Sequence, residues 1–130
     1  MNLKILLDTP IILQAAADSD RLSAKARRLL LDEDNELFFS AASIWEISVL
    51  GSIDKSALAA DPRLLRRGLL DSGYKEVPIS AAHAAAVAHL PELHRDPFDR
   101  LLLAQALQEG LELMTADPNI LAYKDPVIAV

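Results

Sequence analysis

Cysteine is absent from this chain, which removes any disulfide framework and every thiolate metal site and leaves a reducing compartment permitted. Also absent is any run approaching the roughly 18 to 20 apolar residues of a membrane span. The opening residues, MNLKILLDT, meet charge at Lys4 and again at Asp8. The expectation is therefore a soluble, unprocessed, cytoplasmic protein with no membrane association. Positive charge is in deficit, with 13 Lys and Arg against 19 Asp and Glu and a net charge of −6. That balance argues against simple electrostatic attraction to nucleic acid and favours cations or a basic partner. There is no internal repeat, low-complexity tract or linker. The four glycines and seven prolines are scattered at plausible element ends.

What is present suits one globular domain over residues 1–130, since 52% of the chain is hydrophobic and 25% charged. Apolar runs of strand length alternate with stretches of helical spacing. LKILL (3–7) reads as a central parallel strand covered on both faces. SAKARRLLLDED (23–34) reads as a helix with Leu29 and Leu30 inward and Arg27 and Arg28 outward, followed by a strand at ELFFS (36–40). AASIWEISVLGS sets Ile44, Ile47 and Leu50 at helical spacing and is expected to stop at Gly51. DPRLLRRGLLDSG opens with Asp61 as cap and Pro62 at the first helical position and closes near Gly73. KEVPIS is a short extended piece, and SAAHAAAVAHLP (80–91) an alanine-rich helix stopped by Pro91. A helix over PFDRLLLAQALQE ends at Gly110, and strands at LELMT (111–115) and PVIAV (126–130) complete the set. Four or five strands separated by helices, without hairpin pairs, imply a mainly parallel α/β sheet covered on both faces.

Such sheets place ligands at the carboxyl ends of their strands. The first strand ends in Asp8, with Thr9 beside it. LELMT ends two residues before Asp117. Glu46 lies about one turn into a helix that follows a strand, and Asp99 in the first turn of another. Each acid also has a plain structural reading. Asp8 and Asp117 can cap helices, Asp96 and Asp99 suit a helix start, and Ser43 with Glu46 has capping-box spacing. Independent caps have no reason to gather at one end of one sheet, whereas a divalent metal site needs that gathering. Mg²⁺ and Mn²⁺ take hard oxygen ligands and keep several waters, so three or four carboxylates suit them. Without a cation, crowded like charges raise one another's pKa values. An ion so held can lower the pKa of a water and offset charge on a phosphodiester. Thr9 could add a hydroxyl donor or ligand, and Thr115 could steady the loop or an outer water.

LLDT, SAASIWEI, RDPFDRLLLAQA and LMTADPNI, in this order over nearly the whole chain, resemble a PIN-domain protein, and more narrowly the VapC toxins of bacterial and archaeal toxin–antitoxin pairs. The resemblance implies a three-layer α/β/α sandwich and a metal-dependent endoribonuclease acting on an RNA substrate. It further implies a cognate antitoxin that covers the site, expected to carry a basic segment, and a homodimer as a common assembly. By motif, Asp8, Glu46, Asp99 and Asp117 match the family's acids, which would hold Mg²⁺ or Mn²⁺. Asp96 is the better cap and Asp99 the metal-facing acid, with Asp96 able to approach the same ligand. Pro10 departs from the pattern, because related sequences often carry histidine after DT.

Arg21, Lys25, Arg27 and Arg28 form one basic cluster, and Arg63, Arg66 and Arg67 another. Each is either a phosphate-binding surface or a solvated helix face. Arg95 and Arg100 flank the acids and either meet a phosphate or pair with Asp96 and a neighbouring carboxylate. His83, His89 and His94 do not form an i, i+4 pair, so no zinc site is expected from them. Trp45 reads as core or interface rather than as a base-stacking platform, and the alanines from 81 to 88 allow close helix packing. Two other function classes stay open. One is a phosphotransfer domain, weakened because Pro10 stands where a second aspartate is wanted. The other is a non-catalytic PIN-like binding module.

Overall fold

The computed structural model describes residues 2–53 and 61–130. Its five strands form one all-parallel sheet: β1 (Lys4–Leu7), β2 (Glu36–Ser40), β3 (Lys75–Val77), β4 (Glu112–Thr115) and β5 (Val127–Ala129), in the spatial order β3-β2-β1-β4-β5. β1 lies in the middle, with Ile5 level with Leu37 of β2 on one side and with Glu112 of β4 on the other.

Strand alternation divides the core in two. Ile5 and Leu7 face one side, where Ile11 and Ile12 of α1 (Thr9–Ala16), Ala26 of α2 (Ala24–Leu31), Ile47 of α3 (Ala41–Ile53) and Leu65 and Leu69 of α4 (Pro62–Asp71) pack on them. Leu6 and Leu113 face the other side. There they meet Leu102, Leu103, Ala104 and Ala106 of α6 (Pro97–Glu109), Leu90, and Ile120 of α7 (Pro118–Leu121). α5 (Ala81–Ala86) lies against α6. Helices on both faces make the three-layer α/β/α sandwich expected of a parallel sheet.

Local sequence explains most boundaries. Asp61, Asp96 and Asp117 each cap a helix whose first residue is proline, and the Asp carboxylate accepts a backbone N–H from that first turn. Gly110 ends α6 in the left-handed conformation, φ +67°, which glycine adopts without the Cβ penalty. Several boundaries differ from expectation. α3 passes through Gly51 to Ile53, since an interior glycine costs only about 1 kcal/mol against alanine. Leu50 on that helix is 42% exposed, unlike buried Ile47. Ser43 and Glu46 form no capping box, because β2 runs straight into α3 and the Ser40 hydroxyl accepts the Ala42 N–H at 2.9 Å. A capping box does form at Ser80 and His83. α2 ends at Leu31 rather than Asp34, as Asp32 turns to extended backbone. The alanine-rich helix tightens at Val87–His89 into a 3₁₀ turn before Pro91. α7 is a short helix capped by Asp117, one of the two readings its Asp-Pro start allowed.

Candidate metal and phosphodiester site

At the carboxyl edge the chain leaves β1 toward β2 and returns to β4 on the other flank of β1. The strand order reverses there, and a crevice opens between adjacent connections. Asp8 ends β1 and Asp117 follows β4 by two residues. Burial leaves Asp8 only 1% exposed. Its Oδ1 accepts the Ile11 N–H at 3.0 Å and so caps α1. Its Oδ2 accepts a short hydrogen bond from the Thr115 hydroxyl, and that same oxygen of Thr115 accepts the Asp117 N–H at 3.0 Å. Thr115 therefore joins the loops after β1 and β4. Asp117 caps α7 through one oxygen, accepting from Asn119 N–H at 2.9 Å.

Glu46 reaches the crevice from α3, fixed by the Thr9 hydroxyl, which donates to its Oε1 at 2.7 Å and lies 2.9 Å from the buried Ser43 hydroxyl. Asp99 enters from the first turn of α6 and is 8% exposed. The Asp96 carboxylate accepts the Asp99 N–H at 3.0 Å, so Asp96 is the cap and Asp99 is left to face the crevice. The Asp99 Oδ2 lies 2.8 Å from His94 Nε2. Ligand-type atoms of His94, Asp99 and Asp117 all fall within 4.8 Å of one another.

The acids feel each other. Burial, opposed in part by the Thr115 and Ile11 hydrogen bonds and reinforced by the charges of Asp99 and Asp117, holds the Asp8 carboxyl up at about 6. Burial also raises Glu46, with repulsion from Asp99 and Asp96 set against the Thr9 hydrogen bond. Asp99 is raised by burial and by repulsion from Asp96 and Asp117, against the pull of His94. The donor set thus fits a hard divalent cation. It offers carboxylate oxygens already oriented by neighbours, and it disfavours its own ionised form until a positive charge arrives.

Of the four acids named from the sequence, Asp99 and Asp117 offer ligand atoms within 4.8 Å of each other, whereas Asp8 and Glu46 lie outside that group and are linked to it by charge and, for Asp8, through Thr115. His94 was not expected. It sits in a loop five residues before Asp99, where helical spacing carries no information, although its place in HRDPFD was a usable signal. Among the described residues Arg100 pairs with no carboxylate. Its guanidinium donates to the carbonyls of Val87, Pro91 and His94 at 3.0, 3.3 and 3.2 Å. In the basic clusters, Arg27 pairs with Asp18 at 2.7 Å and Arg66 with Glu76 at 2.7 Å, as solvated helix faces do. Trp45 is not core. It is 54% exposed and touches Phe98 edge-on, with ring centroids 4.8 Å apart.

Comparison with known proteins agrees with this geometry. The PIN domain model matches residues 5–126. Ribonuclease VapC22 of Mycobacterium tuberculosis is 31% identical over 123 residues, which span 94% of this chain and 93% of that protein. Among solved structures, a toxin–antitoxin complex from Klebsiella pneumoniae superimposes with a TM-score of 0.67 at 21% identity, over 96% of both chains. VapBC2 from Rickettsia felis, bound to a DNA fragment from its promoter, does so with 0.68 at 19% identity, over 98% of both. The two structures share the sheet and its helical layers, and the match over residues 5–126 takes in every acid of the crevice, so the chain belongs to the PIN-domain family.

Proposed function

We propose that this chain is a metal-dependent endoribonuclease, the toxin of a type II toxin–antitoxin pair. The observation that carries the reading is the convergence of Asp8, Glu46, Asp99 and Asp117 on one crevice, with burial and mutual repulsion raising three of them. Asp8, Glu46, Asp99 and Asp117 would hold Mg²⁺ or Mn²⁺. When bound, such an ion supplies an acidified water and offsets negative charge at the scissile phosphodiester. The chain's own contribution is orientation. Thr115 aims Asp8 and ties it to the Asp117 loop, and Thr9 aims Glu46. No side-chain nucleophile is required. Ribonuclease VapC22 supports RNA as substrate, and the toxin–antitoxin complexes support a small protein partner. With four acids in its crevice, the site favours an antitoxin segment carrying Arg or Lys that competes with metal and substrate. A homodimer and a cytoplasmic location complete the reading.

Cleavage of a mixed RNA pool in Mg²⁺ or Mn²⁺, with a chelator control, tests it. Asp99→Asn is expected to lower cleavage about 100-fold or more, the loss that disturbing a metal's surroundings produces. Asp96→Asn keeps an effective cap and retains most activity. Absence of cleavage of that pool by antitoxin-free wild type would leave the binding-module reading in its place.

A further inference from the structure

Beside the carboxylates of the crevice stands one imidazole, and its placement is built rather than incidental. His94 lies on the segment that follows the 3₁₀ turn, and Arg100 of α6 fastens that segment by three backbone carbonyls, including that of His94 itself. The Tyr123 hydroxyl adds a fourth tie by donating to the Pro91 carbonyl at 2.9 Å. The result is an imidazole whose Nε2 is 2.8 Å from Asp99 Oδ2 and which has a ring nitrogen within 4.8 Å of a ligand oxygen of Asp117. Adjacent ligands of an octahedral ion with bonds of about 2.1 Å lie about 3 Å from each other, and opposite ones about 4.2 Å. The pair His94 and Asp99 already has the spacing of two neighbouring positions on one ion.

We infer that His94 Nε2 is a direct ligand of the same ion as Asp99 and Asp117, making a mixed nitrogen and oxygen site that prefers a divalent transition metal to Mg²⁺. This inference rests on the metal-dependent reading above and deepens it. Mg²⁺ gains little from an imidazole, because it is hard and keeps its waters, whereas transition ions bind imidazole readily. An all-carboxylate crevice would not discriminate in this way. The alternative role for His94, holding Asp99 in position from outside the ion, predicts equal effects on both metals.

The test uses purified, antitoxin-free protein and reads metal binding rather than cleavage. Mn²⁺ binding is followed by loss of the free-ion electron paramagnetic resonance signal, and Mg²⁺ by competition against it. Pulsed measurements on the bound Mn²⁺ then look for nitrogen hyperfine coupling. Wild type is expected to show that coupling and to bind Mn²⁺ at least about tenfold more tightly than Mg²⁺. His94→Gln, which preserves a polar contact to Asp99, is expected to lose the coupling. It should also lower Mn²⁺ affinity about tenfold while changing Mg²⁺ affinity by less than about threefold. Bound Mn²⁺ without nitrogen coupling in wild type overturns the inference alone, as does an equal loss of both metals in His94→Gln. Failure of wild type to bind either metal overturns the metal-dependent reading together with it.

Discussion

The two carboxylate oxygens of Asp8 serve different ends, one capping α1 and the other held by Thr115 toward the crevice. The carboxyl is held up at about 6, from 3.8, chiefly because it is buried. A folded-state value above the unfolded one favours the fold fully below about pH 4, and that contribution is lost as pH rises through about 6. Metal-free protein is thus expected to be less stable at pH 8 than at pH 5, with about 1.4 kcal/mol of the difference coming from this group, since only the stretch from pH 5 to its folded-state value of about 6 counts. Glu46 and Asp99 are shifted in the same direction and add to the trend. Asp8→Asn keeps a good cap and removes the buried charge. In chelator its melting temperature should exceed that of wild type at pH 8 and not at pH 5. A variant that melts lower at both values would show that Asp8 is neutral or paired in the folded state. The site acids were legible in the sequence because strand ends and Asp-Pro helix starts locate them independently of tertiary contacts. Capping does not by itself exclude ligation, since a carboxylate has two oxygens. His94 was less legible, because its position depends on a loop that Arg100 and Tyr123 fix.

At the scale of elements, α6 links scaffold to site. Asp99 and Arg100 are neighbours on its first turn, and the acid meets the crevice while the cation fastens residues 87–94. Arg100→Ala should lower stability by about 2 kcal/mol, from the lost charged hydrogen bonds and the carbonyls left behind. Because His94 rides on that segment, Mn²⁺ affinity should fall as well. Urea unfolding together with metal titration checks both. An Arg100→Ala protein with unchanged metal affinity would detach the loop from the site. Further along the same helix, Gln105 is fully buried, and its amide meets the Ser40 hydroxyl at 2.5 Å and the Pro78 carbonyl at 3.4 Å. That tie fixes α6 against β2 and the chain after β3. Element type was readable from apolar runs and caps, but ends set by packing were not. Gly51 lies inside α3, where the expected glycine stop did not apply.

For the whole molecule, the acidic balance and the crevice make the fold responsive to cations. A ligand that binds only the folded state adds about 2.7 kcal/mol of stability at a hundredfold excess over its dissociation constant. Thermal melts in rising Mg²⁺ or Mn²⁺ should therefore shift upward for wild type. They should stay nearly flat for Asp99→Asn and Asp117→Asn, with chelator reversing the wild-type shift. Equal shifts in all three proteins would mean that the ions act on surface charge in general. The layer architecture followed from the alternation of elements, yet the strand order did not, because nothing in LKILL states that its far neighbour is LELMT.

That pairing has a temporal consequence. Thr115 bonds Asp8 across 107 positions of chain, and β4 is the strand that closes the second flank of β1. Contacts so distant in sequence form late, after loop entropy has been overcome. During synthesis Asp8 emerges long before Thr115, whose hydroxyl holds its carboxylate. A ribosome-bound chain lacking β4 carries Asp8, Glu46 and Asp99 but neither Thr115 nor Asp117, so the crevice stays incomplete until β4 has been made and has paired with β1.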